Sequence, residues 1–505
     1  MGQATSVGSR GAGPAPVVRR ARRALLASLA AGSLVLAGAL PVAADDAADP
    51  FVEESQRLAA GLLTAVTTTA QFSTLVDFSN NNGKGAAKPA AFLPNVDTAV
   101  IELGGSGQVV GVANVLYDRD SPQGFEVAID PTTMSTTGVE FSRWRQERWD
   151  DAAAWAAGPA AEDVTVPVAT PAKRYMAAYP ASVLKVMVAH SIYRLIDEGQ
   201  LALDTSLRYH EDTTKKAKDP ARTCGYGPSQ LAPNPHPQAE GATDTVASWL
   251  DQMITVSDNF ATCVLLQAVN DKGALAAANQ HFQDLGLTSL RMQPAYPVVG
   301  NGWSSGTMSM GALDTAKLML LAAGAPGPLW LDPKGQRVTA DVLTPTSRAH
   351  YQALLADQSF NEVLNPVNLC GSPDAAPGIP STVPGRWVDP ATGNVVTYDG
   401  DLAIDFGFDT RPCANAAQVT FAHKTGLTYN AGSDTGIVRA LPGQDGRWYV
   451  VATLTNIGNR FGDPDWAKSK PNACEGAPYV CYPRGFGRLG RAIDDLVKAR
   501  PAAVR

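Results

Sequence analysis

Tyr179-Pro180-Ala181-Ser182-Val183-Leu184-Lys185 leads into an apolar run, Val186, Met187, Val188, Ile192 and Leu195, whose spacing is that of a helix. Pro180 stands just ahead of that run, a position proline tolerates at a helix start. The Ser182 hydroxyl therefore falls in the first turn of a core helix, where the helix dipole favours developing negative charge. Lys185, three residues on, shares its helix face. A serine hydroxyl is a poor nucleophile until a nearby base takes its proton, and a lysine stripped of water can be that base. Taken alone, the pattern also describes a capping serine followed by a surface lysine.

Two further stretches carry polar groups in apolar settings. Val246, Trp249, Leu250, Met253 and Ile254 form one amphipathic helix and Phe260 to Val269 another, with Ser257-Asp258-Asn259 as a tight loop between them. Such a loop aims polar side chains into a cleft, and it also suits an N-cap for the second helix; both can hold at once. Lys424-Thr425-Gly426 ends a strand read over Gln418 to His423. A lysine there adds positive charge, and the glycine lets another backbone approach closely. Alternation along the strand turns His423 away from Lys424, so His423 is read as structural.

In chain order these are S-x-x-K, S-D-N and K-T-G, and the set resembles class A β-lactamases and penicillin-binding proteins. The resemblance covers most of the chain after its leader, best from about Tyr179 to Leu441. It implies an α+β fold of the β-lactamase/transpeptidase type, with a five-stranded antiparallel sheet flanked by helices and a mostly helical lobe beside it. It implies Ser182 as nucleophile, Lys185 as base and Ser257 as proton relay to the leaving nitrogen. Asn259 would hold the substrate amide, while Lys424, Thr425 and Gly426 would meet a substrate carboxylate. The backbone N–H groups of Ser182 and Leu427 would form the oxyanion hole, often the largest catalytic term. No metal or organic cofactor is required.

The departures from the family are as informative. Class A β-lactamases activate the deacylating water with a glutamate on a loop between the second and third motifs. The corresponding stretch, Leu285 to Leu313, contains neither Asp nor Glu. Glu362 comes too late for that position, although it or Asp401 could reach the site from an insertion. The arginine the family carries after K-T-G is also missing: Thr435 stands near its place and Arg439 further along. Rapid hydrolysis of β-lactams is therefore not expected.

The start of the chain reads as a secretory signal. Arg19, Arg20, Arg22 and Arg23 precede an Ala/Leu-rich run from Ala24 to Leu40, and Val42-Ala43-Ala44 offers small residues for cleavage at Ala44. An uncleaved anchor is the alternative, but the run is shorter than the ~20 apolar residues that span a bilayer comfortably. Arg22-Arg23 is a weaker hint of twin-arginine export. An extracellular or cell-envelope location follows, with no membrane attachment after cleavage. The even number of cysteines, 224, 263, 370, 413, 474 and 481, then suggests disulfides. Cys370–Cys413, Cys474–Cys481 and Cys224–Cys263 are the expected pairs, a buried free thiol at Cys263 being the alternative. A net charge of −7 with no basic face argues against nucleic acid as a partner.

Domain boundaries are drawn at 1–44 for the signal, 45–165 for an N-terminal helix, hairpin and extension, and 166–500 for the catalytic fold. Phe51 to Thr69 reads as a helix, Thr98–Leu103 and Gln108–Tyr117 as a hairpin, and the Trp-bearing stretch 132–170 as helical. Gln418–His423, Thr435–Leu441 and Arg447–Thr455 are strands, and Gly487–Ala499 is a closing helix. Residues 212–242 and 365–417, rich in Pro and Gly, read as long loop insertions, either shaping substrate access or decorating the surface. The expected protein is a monomeric secreted serine hydrolase acting on a β-lactam or a peptidoglycan-derived D-alanyl peptide. A D,D-peptidase, transpeptidase or esterase is the first alternative, and a catalytically idle module that binds cell-wall peptide the second.

Overall fold

The first two strands of the main sheet are buried along almost their whole length: β1 (Val96–Leu103) and β2 (Val109–Asp118). Both are nearly continuous runs of apolar or β-branched residues, as expected of strands covered on both faces. A short edge strand, β3 (Ser121–Glu126), follows β2. Three C-terminal strands, β4 (Val419–Thr428), β5 (Ala431–Ala440) and β6 (Trp448–Thr455), complete an antiparallel sheet of order β4-β5-β6-β1-β2-β3. The sheet thus has six strands rather than five. Ser121-Pro122-Gln123-Gly124-Phe125-Glu126 lacks apolar alternation, and it pairs only because β2 offers an open edge.

The structure, a computed structural model, describes residues 49–78, 88–210, 242–292, 308–358, 364, 385–399, 402–462 and 482–500, with backbone alone for 395–399 and 402–408. The signal segment, Glu362, Asp401, Cys224, Cys370, Cys474, Cys481, residues 293–307 and nearly all of 212–242 lie outside them.

On one face of the sheet pack the two terminal helices, α1 (Pro50–Thr64) and a long C-terminal helix (Tyr482–Lys498). Leu58, Leu62, Phe486, Leu489 and Ile493 meet Val100, Val115, Val438 and Val451 there. On the other face lies the helical lobe: α2 (Lys185–Asp197), α3 (Val246–Thr255), α4 (Asn259–Asp271), α5 (Ala312–Ala323) and α6 (Pro345–Ala356). Every residue of α5 is buried, which makes it the lobe's inner helix against the sheet. The C-terminal helix is α7. Among the described residues, no helix is long and apolar enough to cross a membrane.

Three expectations change. Residues 132–170 are not one helical stretch: short strands at Ser135–Thr137, Val139–Ser142 and Val164–Val166 flank helices of a turn or so at Gln146–Asp150 and Ala152–Ala157. Trp144, Trp149 and Trp155 cluster together, and the Arg119 guanidinium lies 4.2 Å from the Trp149 ring centre and 4.3 Å from that of Trp155. That tertiary contact overrides the helical composition. The described part of 365–417 is not structureless either, since Asn394–Asp399 and Leu402–Asp409 pair as a hairpin. Finally, the K-T-G strand does not stop at His423 but runs to Thr428.

Candidate active site

Ala181–Leu184 is a single tight 3₁₀ turn that continues into α2. Ala181 sits at φ 48°, a left-handed conformation costly for a residue with a Cβ. The turn is held there by β4. A Cβ placed on Gly426 would lie 2.6 Å from the Pro180 carbonyl oxygen and 2.8 Å from the backbone nitrogens of Ser182 and Val183. Only glycine permits that approach. Ser182 is half-buried at the mouth of this contact, and Leu427, the residue after Gly426, is likewise partly accessible.

Lys185 is buried, and its ammonium crosses to the loop between α3 and α4. Its Nζ donates to Ser257 O at 2.5 Å, Ser257 Oγ at 3.0 Å and Asn259 Oδ1 at 2.7 Å. Ser257 has φ 58°, again left-handed, and is fixed by its neighbours. Asp258 N donates to Gln252 O, while the Asp258 carboxylate caps α4 by accepting from Ala261 N at 2.6 Å. The loop is therefore both a cap and a presenter of side chains, with Asn259 as the first, exposed residue of α4.

Lys424 is fully buried, and its Nζ donates to Ser257 Oγ at 2.9 Å and to Thr425 O at 2.9 Å. Ser257 Oγ is thus the point where lysines from two elements converge. Burial pushes the Lys424 ammonium far below its ordinary range, and the nearby Lys185 charge pushes the same way, with Asp434 opposing. Alternation places Thr425 on the sheet face opposite Lys424. His423 shares that opposite face: its Nδ1 lies 2.9 Å from Asp434 Oδ1, and its ring stacks on Phe421.

Sequence reasoning missed Asp434. Counting from the turn at Tyr429-Asn430 would have placed it opposite Thr425, so the turn was the available signal. Thr435, opposite Lys424, uses its hydroxyl within the sheet by donating to Val451 O at 3.0 Å. Arg439 lies opposite Thr420, its guanidinium 3.9 Å from the Trp448 ring centre, well along the strand from Lys424. The carboxylates bordering the acid-free stretch are both committed elsewhere. Asp284 is on the surface with Lys334, and Asp314 accepts from Ser289 N and Oγ, both at 2.8 Å. Among the described residues, no group of three or more His, Cys, Asp or Glu is arranged to hold a metal ion.

The chain is similar to β-lactamase- and penicillin-binding-protein-like serine hydrolases. Residues 176–376 match the family described as the beta-lactamase enzyme family. That span holds Ser182, Lys185, Ser257 and Asn259 and ends before Lys424. Among solved structures, a class A β-lactamase from Bacteroides cellulosilyticus is 12% identical, with 88% of this chain and 99% of that one covered and a TM-score of 0.41. A β-lactamase from Sphaerobacter thermophilus is 14% identical, with 88% and 98% covered and a TM-score of 0.40. A Leu-to-Glu mutant of PBP-A, in its acyl-enzyme complex with penicillin G, is 19% identical, with 64% and 83% covered and a TM-score of 0.37. No curated protein matches the chain.

Proposed function

We propose that this protein is an exported serine hydrolase that works through an acyl-enzyme on Ser182, with a β-lactam or a D-alanyl-peptide-like amide as substrate. The observation that carries the reading is the convergence of Lys185 Nζ and Lys424 Nζ on Ser257 Oγ, beside the turn that presents Ser182. In acylation, Ser182 Oγ bonds to the acyl carbon while its proton passes to neutral Lys185. The C–N bond then breaks, and the leaving nitrogen takes a proton through Ser257. Lys424 keeps that end of the site positive for a substrate carboxylate, with Thr425 as a further donor to it and Asn259 holding the substrate amide. The N–H groups of Ser182 and Leu427 stabilise the oxyanion. Water then splits the ester, giving the acid and free Ser182.

A second reading, a D,D-peptidase or esterase rather than a β-lactamase, is favoured by the absence of Asp and Glu from Leu285 to Leu313. A binding module with no turnover is the third, and the joint presence of nucleophile, base and relay argues against it. Export through the leader ending at Ala44 and a monomeric state complete the proposal. The test is intact mass over time after the purified, exported protein meets a penicillin, beside Ser182→Ala. A persistent adduct supports a penicillin-binding enzyme and a transient one a β-lactamase. Equal labelling of Ser182→Ala would refute the assignment of the nucleophile.

A further inference from the structure

Two ammonium groups at one hydroxyl, both away from water, cannot easily both keep their protons. Acylation needs a definite outcome: Lys185 neutral to receive the Ser182 proton, Lys424 charged. Their contacts with Ser257 Oγ, 3.0 and 2.9 Å, are nearly symmetrical, while the remaining acceptors, Ser257 O and Asn259 Oδ1 for Lys185 against Thr425 O for Lys424, favour the proton on Lys185, so the contacts do not select Lys424. Something outside the pair has to.

The asymmetry lies behind the strand. Asp434 on β5 is fully buried and stands opposite Thr425, one position along from Thr435, which faces Lys424. Cross-strand partners share a face, so Asp434 leaves the sheet on the side away from Lys424 and acts on it through the thickness of β4. Its charge favours the protonated form of Lys424. Two donors hold its oxygens: His423 Nδ1 at 2.9 Å on Oδ1 and Leu364 N at 3.2 Å on Oδ2. His423 is steadied by Phe421, with ring centres 4.2 Å apart, and Leu364 by its packing on Gly490 of α7. The other neighbours are Thr453 on β6, which is neutral, and Lys185 from α2; the Asp258 carboxylate is turned to the cap of α4.

We propose that Asp434, held by His423, is a positioning residue that keeps the proton on Lys424 and so leaves Lys185 as the lysine able to accept the proton of Ser182. The inference rests on the acyl-enzyme reading above. It adds a function for a buried pair that touches no substrate.

The test is the rate of Ser182 acylation by a penicillin between pH 5 and pH 10, for the parent protein, Asp434→Asn, Asp434→Glu and His423→Gln. The alkaline limb reports loss of the Lys424 proton. It should move down by about one pH unit in Asp434→Asn, the scale of one buried charge acting across a strand. Asp434→Glu should restore most of the shift, and His423→Gln should show a smaller shift in the same direction. An unmoved limb in a folded Asp434→Asn protein overturns the inference. Should that variant not fold, an unmoved limb in a folded His423→Gln protein does the same. Labelling that survives Ser182→Ala, or a parent protein that neither penicillin nor a fluorophosphonate labels, overturns the reading beneath it instead.

Discussion

Gly426 lies against the backbone nitrogen of Ser182 so closely that any side chain on it would stand 2.8 Å from that atom. Strand β4 and the turn carrying the serine are therefore one unit, and the left-handed Ala181 is kept in place by that contact. The geometry of Ser182 thus depends on a residue more than two hundred positions away in sequence.

Gly426→Ala should expose this dependence. Neither the Pro180 carbonyl nor the Ser182 and Val183 nitrogens can yield without moving the turn, so overpacking should destabilise the protein by about 1–3 kcal/mol. A displacement of the nucleophile by about 1 Å is enough for a loss on the order of 100-fold in acylation. Thermal melts and timed labelling with a fluorophosphonate measure the two effects separately. A variant that labels at the parental rate would show that the turn holds its shape without β4.

Stability should carry a signature of Asp97. Its carboxylate is buried between the sheet and α5, accepting from Asn114 Nδ2 at 2.7 Å and from Ala312 N at 2.8 Å. Burial outweighs both hydrogen bonds and pushes the carboxyl up to about 6 from an ordinary 3.8. The folded state therefore takes up this proton more readily than the unfolded one. Its contribution is full at pH below about 4 and is lost as pH rises through 6, a change of about 3 kcal/mol. Parent and Asp97→Asn melts compared from pH 4 to pH 7.5 isolate the effect, because other groups cancel. The parent should gain on the variant as pH falls; a constant difference would mean that Asp97 titrates as it does unfolded.

Cys263 and Cys413 are both disulfide-bonded. The pairs expected are Cys224–Cys263, Cys370–Cys413 and Cys474–Cys481, to be read by peptide mapping without reduction. The second would close a loop across the long insertion, a constraint expected to be worth about 4 kcal/mol through chain entropy. Recovery of Cys263 or Cys413 with a different cysteine would redraw the scheme.

How much of this was legible depends on what each residue had to say locally. Ser182 and Lys185 stood out because they interrupt a helix that is otherwise apolar, and Ser257-Asp258-Asn259 because it separates two such helices. Lys424-Thr425-Gly426 marked the site but hid its own secondary structure. A lysine and a glycine break the apolar pattern, yet the strand continues because its backbone pairs with Thr435, Asp434 and Ser433. The edge strand at Ser121–Glu126 and the Trp cluster beside Arg119 depend on partners distant in sequence and left no periodic trace. Asp434, one residue before the strand read from Thr435, carried no signal until register set it opposite Thr425.

On penicillins, deacylation rather than acylation should limit turnover. The ester on Ser182 needs a water activated on the far side of its carbonyl, and the class A enzymes do this with a carboxylate. From Leu285 to Leu313 the chain has none, and the acids at its borders are occupied: Asp284 with Lys334 on the surface, Asp314 with Ser289 in the interior. General-base assistance is typically worth roughly 10²–10⁴-fold, so its loss leaves a long-lived acyl-enzyme. Lys185 can assist only in part, since its ammonium is engaged with Ser257 and Asn259. Stopped-flow measurements should show a burst of about one equivalent followed by slow turnover, the mark of an accumulating acyl-enzyme. Rapid linear hydrolysis without a burst would mean that another group, with Glu362 and Asp401 the first to replace by Gln and Asn, activates the water.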